Sequence, residues 1–179
     1  MRSFIAVDVD DALKARIRNV QSRISEGKIK FVEPENLHFT LKFLGEITDE
    51  KAEAVTAALK EICTSFNAFP IILKGVGVFP SLNYMKVIWI GTESKEFLTL
   101  SKAVDSSMAE LGFKKERSIT PHLTVGRVKA PGNKVNLREQ VQALKDVEIG
   151  EMVVASLKLK KSELTRKGPI YTDIEEIAL

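Results

Sequence analysis

The chain has 179 residues, 44% of them hydrophobic, and a formal net charge of +3. That is apolar material for one packed domain, or for one domain of two lobes sharing a core, and too much for a disordered chain. No run approaches the roughly 18 to 20 apolar residues of a membrane helix, the positive balance is too weak to imply duplex binding, and a single cysteine, Cys63, cannot close an internal disulfide.

Arg2 to Val9 is a β-branched and apolar run and reads as the first strand. It meets Asp8, Asp10 and Asp11 too soon for the core of a signal peptide, so a cytoplasmic protein is expected. Asp10 suits an N-cap for a helix buried through Leu13, Ile17, Val20 and Ile24, with Gly27 as its stop. Lys28 to Val32 reads as a strand, and Glu33-Pro34-Glu35-Asn36 as a tight turn. From Leu37 to Phe43 apolar residues alternate with His38, Thr40 and Lys42, the pattern of a strand with one free face.

Thr48 caps a second helix with Val55, Leu59, Ile62 and Phe66 as its stripe, and Cys63 within that pattern reads as a small buried hydrophobe. Phe69 to Phe79 and Lys86 to Ile90 follow as strands. Ser94 caps a third helix, with Phe97, Leu100, Val104, Met108 and Leu111 facing inward and Gly112 as its stop. Pro121-His122-Leu123-Thr124-Val125-Gly126-Arg127 then repeats the earlier grammar. Asn136 to Leu144 is a shorter helix, and Val147 to Leu164 and Ile170 to Ile177 are strand-rich around a turn at Lys167-Gly168-Pro169. The order strand, helix, strands thus occurs twice, which predicts one α+β domain over 1–179. It is expected to be bilobal: two pseudo-symmetric antiparallel-sheet lobes, helices packed outside, and a central cleft lined by the two His-x-Thr strands.

The two histidines, His38 and His122, are the only ones in the chain, 84 positions apart, and each is followed at i+2 by a threonine, Thr40 or Thr124. Residues two apart on a strand share a face and stand about 7 Å apart. If the strands meet, two imidazoles and two hydroxyls surround one small volume. One imidazole can take a proton from a nucleophile while the other gives one to a leaving group. The hydroxyls can donate to phosphate oxygens, and Arg127 can clamp the same anion. Strict alternation puts Arg127 on the opposite face unless the strand bulges near Gly126. Lys42 reads first as a surface lysine, and Phe39, Phe43, Phe97 and Trp89 as core. Two rivals stay open. Two histidines could belong to a zinc or iron site, although threonine is a poor ligand and no carboxylate stands at fixed spacing. An RNA-binding module without turnover would need stacking aromatics near the cleft.

His38-Phe39-Thr40-Leu41 and His122-Leu123-Thr124-Val125 resemble the paired motifs of the 2H phosphoesterases, in particular the RNA 2′,3′-cyclic phosphodiesterases, also called 2′-5′ RNA ligases. Arg2 to Asp8, Pro34 to Gly45, Gly77 to Pro80, Pro121 to Arg127, Ser162 to Leu164 and Gly168 to Tyr171 are similar to that branch as well, while Val32 stands where many members carry an aromatic residue. The resemblance implies hydrolysis of a terminal 2′,3′-cyclic phosphate to a 2′-phosphate, without metal or other cofactor. It implies His38 and His122 as catalytic, Thr40 and Thr124 as phosphate-binding, and Arg127 and Tyr171 as substrate contacts. We assign His122 as the base and His38 as the acid. Ligation of RNA ends through a 2′-5′ linkage would need no ATP, and neither a Walker nor a Lys-x-Asp-Gly motif is present. RNA ends or nucleotides bearing the cyclic phosphate are the expected partners, with no membrane, no obligate protein partner, and a monomer as the default.

Overall fold

In a computed structural model that describes all 179 residues, the predicted caps organise the helices. Asp10 accepts the amide of Ala12 and opens α1 (Asp11–Ser22), Thr48 accepts Lys51 ahead of α2 (Asp49–Cys63), and Ser94 accepts Phe97 ahead of α3 (Lys95–Glu110). Asn133 accepts Val135 and Asn136 and opens α4 (Lys134–Gln142). The first helix stops at Ser22, short of the expected Gly27. The amides of Ser25 and Glu26 both turn to Gln140 Oε1 at 3.0 Å instead of to α1 carbonyls. Ile24 nevertheless stays buried beyond the helix end, and Gly27 (φ 80°) turns the chain into the next strand.

Nine strands make one antiparallel sheet: β1 (Arg2–Asp8), β2 (Lys28–Phe31), β3 (His38–Glu46), β4 (Phe69–Ser81), β5 (Tyr84–Gly91), β6 (His122–Ala130), β7 (Glu148–Val154), β8 (Ser156–Thr165) and β9 (Gly168–Ala178). Their order is β7-β4-β5-β6-β3-β1-β8-β9, with β2 also paired to β6. The middle of this sheet is a seam. β3 and β6 share one bridged pair, Phe39 opposite Leu123, so the sheet divides into the lobe β3-β1-β8-β9 and the lobe β7-β4-β5-β6 with β2. The expected bilobal α+β architecture is the one observed. Helices α2 and α3 cover the first lobe, α1 and α4 the second. The apolar face of both lobes merges into one cluster of 39 buried residues that includes Phe39 and Leu123.

The two histidine strands depart from strict alternation in the same way. On β3, Ala6 pairs with Thr40 and Ile5 with Lys42, leaving Leu41 unopposed; on β6, Trp89 pairs with Thr124 and Ile88 with Gly126, leaving Val125 unopposed. Each is a β-bulge, and each puts two consecutive residues inward. Burial along the two strands is identical, position for position. Two expectations are corrected by this shift. Lys42 is not a surface lysine: it is buried, at 3% exposure. Phe43 is not core: it is 67% exposed.

Candidate active site

The Phe39–Leu123 pair is a local pseudo-twofold. Continuing its register by one residue each way sets His38 against Thr124 and Thr40 against His122. All four flank side chains that point into the core, so all four project into the cleft between the lobes. The bulges bring Arg127 to that same face. Its charge is felt by both His38 and Tyr171. The condition on which Arg127 could join the histidines is therefore met. Phe43 emerges at the equivalent place in the other lobe, its ring 6.3 Å from Phe4.

Each imidazole is fixed by the carbonyl two residues before it. His38 Nδ1 lies 2.7 Å from Asn36 O, and His122 Nδ1 lies 2.7 Å from Thr120 O. A carbonyl only accepts, so both rings donate from Nδ1, and Nε2 is the bare nitrogen of each ring in its neutral form. At His38 the bare Nε2 accepts the Thr40 hydroxyl at 3.0 Å. The acceptor for His38 sits in a short 3₁₀ turn, Pro34–Asn36, pinned by Asn36 Nδ2 donating to Pro169 O at 3.3 Å.

Aromatic rings wall both imidazoles with the same symmetry. Tyr171 meets His38 edge-on at 5.3 Å and Phe4 lies 4.9 Å away, while Phe79 meets His122 edge-on at 4.9 Å. Trp89, expected in the core, is only half-buried and lies 6.4 Å from His122. Its indole covers Gly77, where a Cβ would come within 2.2 Å of the ring. Burial by these neighbours lowers the pKa of His38. The Asn36 hydrogen bond and Asp8 oppose that, and Lys160 and Arg127 add to it. Burial likewise raises the Tyr171 phenol, against the pull of Arg127, Arg2 and Lys160, so Tyr171 stays a hydroxyl donor. Asp8 is held in a closed ring of ion pairs: Lys158 at 3.0 Å and Lys160 at 2.9 Å, both also bonded to Asp173 at 2.8 and 2.6 Å. Two lysines and two aspartates cancel there. Arg127, by contrast, makes no ion pair.

A lowered His38 has a kinetic signature. One limb of the kcat/KM profile is expected below the ordinary imidazole range, because the imidazolium at His38 is disfavoured. Tyr171→Ala lets water reach the ring, so the limb should move up in pH. An unmoved limb in a folded variant would assign it to another group.

The structure brings His38, Thr40, His122, Thr124, Arg127 and Tyr171, all singled out by the sequence, to one cleft as a candidate site. Sequence reasoning missed Phe43, Phe4 and Phe79 and misplaced Trp89. One signal for the bulges was present. In both motifs apolar residues stand at +1, +3 and +6 from histidine (Phe39, Leu41, Leu44; Leu123, Val125, Val128), and the interval of three, shared by the two copies, is one that unbroken alternation cannot bury, although Phe43 at +5 also fits alternation in the first.

Two His-x-Thr strands meeting across the cleft of a bilobal sheet are what the resemblance to the 2H phosphoesterases implies. The chain belongs to that superfamily's LigT-like branch: the family model described as LigT like Phosphoesterase matches residues 7–89 and again residues 90–171. It is 42% identical over 182 residues to an RNA 2′,3′-cyclic phosphodiesterase of Methanothermobacter thermautotrophicus, covering 100% of this chain and 99% of that protein. It is 44% identical to an RNA 2′,3′-cyclic phosphodiesterase of Methanocaldococcus jannaschii, covering 98% and 99%. A crystal structure of a Thermus thermophilus protein superposes with a TM-score of 0.86 at 30% identity, covering 100% of this chain and 98% of that one.

Proposed function

We propose that this chain is an RNA 2′,3′-cyclic phosphodiesterase that opens a terminal 2′,3′-cyclic phosphate to a 2′-phosphate without a metal ion. The observation that carries this reading is the shared tautomer: each histidine presents a bare Nε2 to one cleft, across a pseudo-twofold. Water attacks phosphorus in line with the departing 3′-oxygen. The base Nε2 takes the water proton, the P–O3′ bond breaks, and the acid Nε2–H protonates O3′. The 2′-ester bond is retained. Thr40 and Thr124 donate their hydroxyls to the non-bridging oxygens, so Thr40 must turn from His38 to the phosphate on binding. Arg127 and the Tyr171 hydroxyl contact the substrate, and the exposed Phe43 ring offers the base a stacking face. With His122 as base and His38 as acid, the bound phosphate anion must draw the proton onto His38 against its burial. An RNA hydroxyl in place of water would make a 2′-5′ linkage by the same geometry.

RNA, beyond a single nucleotide, is supported by cations that have no partner. Lys28, Lys30, Arg127, Lys129, Arg166 and Lys167 are exposed, and none makes an ion pair. Lys30 is register-paired with Arg127, and its Nζ lies 3.7 Å from where a Cβ on Gly168 would stand, so β2, β6 and the β8–β9 turn share this patch. Clustered like charges favour a polyanion that neutralises them. The chain is proposed to work as one monomeric unit in the cytoplasm. No helix is long and apolar enough to cross a membrane.

The test is hydrolysis, with excess chelator, of a nucleoside 2′,3′-cyclic phosphate and of an oligoribonucleotide ending in one. Both should yield the 2′-phosphate. KM for the oligomer should rise steeply with salt, by about 0.7 log unit per log unit of salt for each phosphate contact, while the mononucleotide stays nearly flat. Activity lost to chelator and restored by zinc or manganese would sink the metal-free mechanism. Binding without turnover would support a pure RNA-binding module.

A further inference from the structure

Lys42 lies four residues after His38, yet its bulge aims it away from the cleft. Its ammonium donates to Asp105 Oδ1 and to Lys114 O, both at 2.5 Å, and lies 3.5 Å from Glu116 Oε1. Asp105 on α3 is buried too, and both of its oxygens accept the Glu116 amide at 3.2 Å. These contacts grip the start of the segment that leads into the second histidine strand. From Lys114 to Pro121 the main chain makes no hydrogen bond to other main chain. The side chains of this segment are exposed apart from a half-buried Ile119 and Pro121. Its backbone is held at three points: Lys114 O by Lys42, the Glu116 amide by Asp105, and Thr120 O by the ring of His122. The carbonyl that fixes the His122 tautomer therefore belongs to a strap whose polar anchors are one buried ion pair. His38 differs, because its carbonyl sits in a pinned 3₁₀ turn.

We propose that Lys42 and Asp105 are positioning residues for His122: they hold the 114–120 strap so that Thr120 O keeps His122 protonated on Nδ1 with Nε2 bare. The ion pair thus ties the strand of one histidine to the tautomer of the other. The kinetic arm of the test rests on the reading proposed above; the spectroscopic arm does not.

Lys42→Met with Asp105→Leu replaces the buried pair by apolar side chains of similar size, an exchange that cores commonly tolerate. With a nucleoside 2′,3′-cyclic phosphate as substrate, kcat should fall at least about tenfold, since a base in the wrong tautomer can lose about 10⁴-fold, while KM changes less than about threefold. Imidazole ¹⁵N shifts should show His122 moving from the pure Nδ1–H form to a mixture of tautomers and His38 unchanged. Glu116→Pro is the second variant: it leaves the Lys42–Asp105 pair in place, removes the amide that Asp105 holds together with the exposed carboxylate 3.5 Å from Lys42, and the same two changes are expected. A folded variant with parental kcat, or one whose His122 tautomer is unaltered, would overturn the proposal. If the double variant does not fold, Glu116→Pro decides.

Discussion

His38→Ala and His122→Ala should each lose about 10²–10⁴-fold in kcat on a nucleoside 2′,3′-cyclic phosphate, the typical worth of a positioned acid or base. The double variant should lose little more than the worse single, because proton removal and proton delivery belong to one transition state. Neither change opens a cavity in the core, since both rings stand half-buried at the cleft, so folding should be near parental. A phosphodiester with a nitrophenol leaving group then separates the roles. Nitrophenolate departs without a proton, so the variant lacking the acid keeps most of its activity on it and the variant lacking the base does not. With His38 as acid, His38→Ala is the one spared. Sparing of His122→Ala would exchange the two roles, and full activity of either single variant on the cyclic phosphate would remove the acid–base reading.

The largest stability effect is expected away from the chemistry, at Lys42→Ala. Removing the ammonium leaves Asp105 as an uncompensated buried carboxylate, a change that typically costs about 3–5 kcal/mol. For a chain of this size that corresponds to a fall of about 10 °C in Tm. Urea unfolding of Lys42→Ala, Asp105→Leu and the apolar pair Lys42→Met/Asp105→Leu gives the test. Each single variant should be strongly destabilised and the pair close to the parent, a coupling that a double-mutant cycle reads directly. Additive losses would mean that the two residues stabilise the fold independently.

Most of the fold was legible because caps, stripes and alternation are local signals. Asp10, Thr48 and Ser94 open the helices at the predicted places, and both His-x-Thr pairs form strands. The candidate site was legible because each half is a short motif and the two copies use every histidine in the chain. What escaped depends on partners distant in sequence. A bulge is a property of two strands, and within 38–46 alone Phe43 fits unbroken alternation as well as Leu44 fits a bulge, so the sequence of β3 by itself does not single out Leu41. Phe43 therefore passed for core and Lys42 for surface, each wrong for the same reason. Trp89 escaped because its position depends on Gly77, a neighbour from another strand. The end of α1 escaped because the acceptor for Ser25 and Glu26 comes from residue 140.

The crossed assignment of helices to lobes bears on how the chain can be built. Helix α1 follows β1 but covers the lobe of β6 and β7, and α3 follows β5 but covers the lobe of β3. β1 in turn lies between β3 and β8, and β8 is completed by β9 at the far end of the chain. During synthesis, then, the lobe of β1 and β3 lacks two of its strands until the last hairpin has emerged, while the other lobe has its strands and roof once β7 is made. The emerging first half holds an open strand edge on β1, the kind of unpaired edge that makes partly folded chains prone to aggregate. Tyr171, on that last strand, closes the wall of His38, so the environment of the first histidine made is among the final parts of the molecule to form.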